Sequence, residues 1–285
     1  MFIPLKTDKR ERIPIIITES LAVNNDIIEE TLHVFDGQYT ASNLIANKVY
    51  ELLKYGTGSK CVVDVSKFTF PSKFVEVEII ADSLMSTRAS LIGFTNENTL
   101  KIIVSVSKFD RNLDEEYCIN SIRSAIIHEL THGNIYLTRY EKEGDIVEDT
   151  PSYYNNIISI LREGNCDDVY YFAYALYSTY YHEVQAMVSQ TAFDVSRQIP
   201  KGTEITNDII KEAFKKTNTY QVYSSNLRIV SKIKQMNNDE RNIFLNKLSE
   251  RGITIKLEKT LTKIEITSKS ALKDAAANAM LVFDI

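Results

Sequence analysis

His128, Glu129 and His132 stand in the order His-Glu-Leu-Thr-His, a spacing suited to metal chemistry. In an α-helix four residues advance about 400° and roughly 6 Å, so the two histidines share one face, one turn apart. Two imidazoles so placed can hold one divalent cation and leave coordination positions open. Glu129 falls beside them, where a carboxylate can take the proton from a metal-activated water. The chain has only 4 histidines, and the motif uses two of them.

The flanking residues supply a helix to carry the motif. Ile119, Ile122, Ile126 and Leu130 recur at three- and four-residue steps, an apolar stripe that docks a helix on a core. Asp114, Glu115 and Glu116 open the segment, where negative charge suits the positive end of the helix dipole. The competing reading is two surface histidines on an ordinary amphipathic helix.

A catalytic zinc usually takes three protein ligands. A third histidine six residues past the motif would complete one such set, but that position is Thr138. A carboxylate on a later helix is the next candidate. Residues 169–197 contain no Pro or Gly and read as one long helix carrying Tyr180-Tyr181-His182-Glu183-Val184-Gln185-Ala186. Leu176, Tyr180, Glu183, Met187 and Gln190 form one face of it, and a small Ala186 permits close helix approach. A carboxylate in so apolar a stripe is expensive to bury unless paired or bound to metal. Glu183 is therefore the expected third ligand. His182 competes, but as the next residue it is turned about 100° away. His33 lies in a separate helical segment and has no expected role. Tyr180, one turn before Glu183, is placed to hydrogen-bond that ligand or the oxyanion of a tetrahedral intermediate.

Together, HELTH and a helical Glu-x-x-Ala 51 residues later resemble the zincin metallopeptidases, in particular the gluzincin-like branch with two His and one Glu. The resemblance covers residues 60–197. It implies a zinc peptidase with His128, His132 and Glu183 as ligands and Glu129 as general base. Where better-known members carry an Asp four residues past the Glu ligand, this chain has Met187. Any acceptor for a histidine's second N–H then comes from elsewhere, with Asp194 a distant candidate on the same helix.

Around the motifs, composition sets bounds. With 285 residues and 44% hydrophobic content, the chain can bury a full core. A net charge of −5 argues against general binding to nucleic acid or anionic membranes. No apolar run approaches the ~20 residues that span a bilayer. The N-terminus is apolar first and charged after, the reverse of a secretory signal. A cytoplasmic or virion-associated location is expected. Cys61, Cys118 and Cys166 are far apart and form no CxxC, so reduced thiols are expected, with Cys118 in the core.

The positioning elements follow from hydrophobic pattern and turn residues. A strand at 14–18 precedes helices at 25–35 and 42–55, the second ending at Gly56-Thr57-Gly58. Strands are expected at 60–66, 74–81, 88–94 and 98–106, rich in Val, Ile and Phe. The family resemblance suggests the last of these as the sheet edge that pairs with an extended peptide. A loop at 138–150, a short helix at 152–162 and an Asp167 or Asp168 N-cap lead into the Glu helix. Tyr170, Tyr174, Tyr177 and Tyr181 recur at helical steps as an aromatic face for burial. Beyond Pro200, helices are expected at 207–217 and 238–249, a β-hairpin at 252–258 and 261–267, and an Ala-rich helix at 269–280.

The expected architecture is α+β: N-terminal strand and helices (1–58), a zincin-like core with a small mixed sheet (59–198), and a C-terminal α/β extension (199–285). The expected function is a zinc (Zn2+) metallopeptidase, more an endopeptidase than an exopeptidase, acting on a peptide or protein substrate. No nucleic acid or membrane span is expected, and the extension could dock a partner. The rival readings are a structural or virion assembly protein retaining a zincin domain, and a protease effector with one narrow substrate.

Overall fold

A computed structural model of the chain describes residues 25–68, 72–83, 87–96, 98–143, 153–200 and 202–281. They fall into two compact units on either side of the Val147–Glu148 junction. The expected strand at 14–18 lies outside the described residues. Among those described, the protein is mixed α+β, and no helix is long and apolar enough to cross a membrane.

The first unit is a four-stranded sheet with helices on one face. Its strands are β1 (Lys60–Asp64), β2 (Phe74–Ser83), β3 (Arg88–Asn96) and β4 (Thr99–Ser107), in the order β1-β2-β4-β3. β2 and β4 run parallel, and the other two pairings are antiparallel. Alternation decides the faces. Leu100, Ile102, Val104 and Val106 of β4 and Val75, Val77 and Ile79 of β2 are buried together. Onto them pack Ala41, Ile45 and Val49 of α1 (Asn25–Leu52) and Cys118, Ile122, Ile126 and Leu130 of α3 (Glu115–Glu143). A single turn of helix, α2 (Lys108–Arg111), separates β4 from α3. On the other face Lys101 bridges Glu76 at 3.3 Å and Glu78 at 2.9 Å, and Lys60 reaches Glu78 at 3.1 Å.

Three expectations change here. β4 is an interior strand, so the edges are β1 and β3. The helices expected at 25–35 and 42–55 are one helix, α1, closed by a 3-10 turn at Leu53–Tyr55 and by Gly56 at φ +80°. An interior glycine such as Gly37 costs only about 1 kcal/mol, which burial of Ala41, Ile45 and Val49 outweighs. α3 runs through the first part of the expected 138–150 loop, because no Gly or Pro falls between Gly133 and Gly144. At its other end the Asp114 carboxylate accepts the Tyr117 N–H at 2.7 Å, a side-chain cap on the opening turn.

The second unit is helical throughout its described residues: α4 (Tyr154–Glu163), α5 (Asp168–Ser178), α6 (Tyr181–Gln198), α7 (Asn207–Lys215), α8 (Asn218–Gln235), α9 (Asn238–Glu250) and α10 (Leu257–Leu281). One apolar cluster joins Ile157, Phe172, Leu176, Ile229, Phe244 and Leu261, and another joins Met187, Val195, Ile210, Tyr223, Ala271 and Ala275. Asp167 caps α5 through the Tyr170 N–H, in line with the sequence. The long helix expected over 169–197 is instead two, α5 and α6. Thr179 Oγ1 donates to the Leu176 carbonyl at 2.8 Å, and Tyr180 turns extended at φ −66°, ψ 143°.

The expected C-terminal hairpin is also absent, since most of its residues belong to α10. Its β-branched residues favour strands, but Leu257, Leu261, Ile264, Ser268, Ala271 and Ala275 follow three- and four-residue steps. Burial of that stripe overrides local propensity. The described residues of the C-terminal extension are therefore all-α rather than α/β.

Glu265 of α10 ties this region together, accepting from Lys234 of α8 at 2.5 Å and from Lys269 at 2.6 Å. Lys234 first and Lys269 second hold its carboxyl down from 4.5 to about 2. A depressed acid contributes stability above its unfolded value and loses it as pH falls through the folded one. Glu265→Gln should therefore lower Tm slightly at pH 7, with the gap narrowing in high salt. The two melting curves should converge between pH 4.5 and about 2. A gap that stays constant down to pH 2 would show that Glu265 acts through something other than its charge.

Candidate metal centre

The His-Glu-Leu-Thr-His motif lies in the middle of α3, on a helix held from two sides. Ile122, Ile126 and Leu130 seat it on the sheet. From α1, Gln38 Nε2 donates to the Ile127 carbonyl at 3.0 Å and to Thr131 Oγ1 at 2.6 Å, while Asn134 Nδ2 donates to Gln38 Oε1 at 3.2 Å. Arg123 reaches back to the Tyr39 carbonyl at 3.0 Å and to Ser42 Oγ at 3.2 Å. These bonds flank the histidines and set the rotation of α3. Gly133 allows close approach to the sheet, since a Cβ there would stand 2.9 Å from Leu100 Cδ2.

On that helix the Nε2 atoms of His128 and His132 lie 3.1 Å apart. The rings meet edge to face, with centroids 4.7 Å apart and planes at 83°. Two nitrogens sharing a tetrahedral zinc at about 2.0–2.1 Å stand roughly 3.3 Å from each other. The observed pair is close to that without rearrangement, so the donor set fits a zinc ion. Glu129 is 7% exposed, and one ligand atom from each of His128, Glu129 and His132 lies within 4.8 Å of the others. Glu129 Oε2 accepts the Leu91 N–H of edge strand β3 at 2.6 Å, a charge-assisted bond that fixes the carboxylate beside the imidazoles.

Glu183 belongs to the second unit, in the first turn of α6, and is 3% exposed. Its Oε1 accepts from Tyr177 Oη at 2.5 Å, and His182 Nε2 stands 3.6 Å from the same oxygen. The sequence had His182 turned away, yet the two side chains approach. Tyr223 is nearby too: its phenol is pushed well above the usual range by burial first and by the negative charge of Glu183 second. Tyr180 opens the turn that carries Glu183, with its extended backbone at the break and its carbonyl accepting the Val184 N–H at 3.0 Å. It is the N-cap residue of α6, stacked on His182 with centroids 5.9 Å apart and planes at 6°.

Met187 is buried in the apolar cluster of α6, α7, α8 and α10. Asp194 takes the Gln190 amide at 3.1 Å and lies 3.6 Å from Arg197 Nε. Cys118 is buried, and burial followed by the charge of Asp110 pushes its thiol up to about 11, so it is no nucleophile near neutral pH.

Several parts of this arrangement were not foreseen. Gln38 fell between two expected helices, and nothing marks it in the sequence. Leu91 acts through its backbone, which carries no residue-type signal. Tyr177 was placed on an aromatic face for burial, and only the helix break brings its hydroxyl to Glu183. Compared with known proteins, the chain matches no family model, no curated protein and no solved structure. Its reading rests on its own residues.

Proposed function

We propose that the protein is a zinc-dependent endopeptidase with a zincin-like core. His128 and His132 hold the metal, and Glu129 is the general base; Glu183 is the third ligand that the sequence resemblance implies. The observation that carries the reading is the pair of Nε2 atoms 3.1 Å apart with a buried, anchored Glu129 beside them. A zinc ion held there supplies a Lewis acid that polarises a carbonyl and eases the deprotonation of water.

Glu129 takes the proton of the attacking water and delivers it to the departing amine. Its bond to Leu91 keeps one carboxylate oxygen fixed while this happens. Tyr177 donates to Glu183 Oε1, and Tyr180 keeps the two roles proposed for it, a bond to Glu183 or to the oxyanion. The strand available to an extended substrate is β3, an edge of the sheet that touches Glu129, rather than interior β4.

The test joins elemental analysis with proteolysis. Purified protein should carry about one zinc per chain, as a single three-ligand site requires. It should cleave casein, lose that activity to 1,10-phenanthroline and regain it on adding zinc. A protein that binds no zinc in solution titration would overturn the reading.

A further inference from the structure

We infer that β1 is a self-association edge: two copies of the chain join their sheets by antiparallel pairing of β1 with β1 about a two-fold axis at Val62. The two edges of the sheet differ. On β3 the Leu91 N–H is already taken by Glu129 Oε2. Among the described residues β1 pairs with β2 alone, so its outer side is open.

Alternation decides which groups that side offers. The Ser59 carbonyl accepts the Ile79 N–H at 3.0 Å, and the Val65 N–H donates to the Lys73 carbonyl at 2.9 Å. Odd-numbered positions of the strand thus bond inward, toward β2. Successive residues of an antiparallel strand turn their N–H and C=O to opposite neighbours. Lys60, Val62 and Asp64 therefore aim theirs outward, as a row that recruits another strand. The row is closed at both ends. Asp64 Oδ1 accepts the Ser66 N–H at 2.9 Å, and the Gly58 N–H goes to the Ile79 carbonyl at 2.6 Å.

The side chains decide which strand fits. Lys60, Val62 and Asp64 are all exposed, Val62 at 62%. In an antiparallel pair centred on Val62, that residue faces Val62 of the second copy, and Lys60 faces Asp64 at both ends. Unlike charges directly opposite favour a pair, and like charges oppose it. Sliding the register by two residues leaves one charge of each strand without its partner, so the same charges fix the register. Lys60 Nζ lies 3.1 Å from Glu78 Oε2, and an ammonium has three donors, enough to hold both acids. Charged, short edge strands normally resist pairing. Here the charges are opposite in sign and symmetric about Val62, which makes the edge complementary to a copy of itself. An isologous two-fold contact closes at two chains and does not propagate. One five-residue strand per chain is a small interface, so the dimer is weak and depends on concentration.

Sedimentation of the full chain should show the mass rising from one chain toward two as concentration increases. Asp64→Lys sets lysine against lysine at both ends, and Lys60→Asp sets acid against acid. Each variant alone should dimerise about tenfold more weakly. An equimolar mixture of the two should recover wild-type association, because every lysine of one chain then faces an acid of the other. Both positions are exposed, so circular dichroism of each variant should match wild type.

Val62→Cys gives a readout independent of charge. The Cα atoms of a hydrogen-bonded antiparallel pair stand about 5.5 Å apart, within the reach of a disulfide. Mild oxidation should link position 62 of one chain to position 62 of the other, identified by mass spectrometry of the joined peptides. A chain that keeps the one-chain mass at every concentration would overturn the inference. So would a dimer that both charge variants form as tightly as wild type, with no link at position 62, since its contact then lies elsewhere.

Discussion

Replacing either His128 or His132 by alanine should reduce bound zinc from about one per chain to near zero at micromolar metal. Each change removes one of the two imidazoles that hold the metal in the proposed site. The loss should exceed the roughly 100-fold upper range for a residue that only orients a ligand. Stability supplies an independent readout. A ligand that binds only the folded state adds about 2.7 kcal/mol at 100 times its Kd. Wild-type Tm should therefore climb with added zinc, whereas the two variants should melt at one temperature whatever the metal concentration. Neither substitution should unfold the chain, since both rings are only half-buried and the apolar seat of α3 lies on Ile122, Ile126 and Leu130. An alanine variant that keeps a full complement of zinc would remove that histidine from the ligand set.

The helix that carries His128 and His132 was legible because two independent patterns coincide on it. The imidazole spacing fixes one face, and the isoleucine spacing fixes another, so helix and orientation follow from residue types alone. The four strands were legible for a similar reason: alternating Val and Ile bounded by turn residues. Their order in the sheet was not. The chain passes from β2 through β3 to β4, yet β4 lies between them, because β2 and β4 pair in parallel and β3 returns on the outside. Local pattern carries no information on which neighbour a strand chooses. That gap moved the sheet edge from β4 to β3 and brought Leu91 to Glu129.

The second unit shows the opposite failure, in which local signals were present and were outweighed. Thr260, Thr262, Ile264 and Ile266 read as strand residues, and α10 forms because its three- and four-residue stripe finds a partner surface on α6 and α8. The α5–α6 break has no Gly or Pro to announce it. It is imposed by side chains some 45 residues or more away in sequence, Tyr223, Asn226 and Ser268. The hydrogen bond from Tyr177 to Glu183 was therefore hidden behind a tertiary constraint.

Glu129→Gln should leave the metal in place and abolish hydrolysis. The amide keeps the size of the carboxylate, and its carbonyl oxygen can still accept the Leu91 N–H, so β3 and α3 stay joined. It cannot accept a proton from water, and loss of a general base costs about 10²–10⁴-fold in rate. Zinc content and Tm should match wild type while casein cleavage drops to that level. The contrast with His132→Ala, which loses metal and activity together, is what separates base from ligand. If Glu129→Gln retains wild-type proteolysis, the proton goes elsewhere, and the bond to Leu91 makes Glu129 a strut between edge strand and helix. If wild type itself cleaves nothing yet binds one zinc, the site serves assembly, and Glu129→Gln and wild type should then be indistinguishable in every function of the protein.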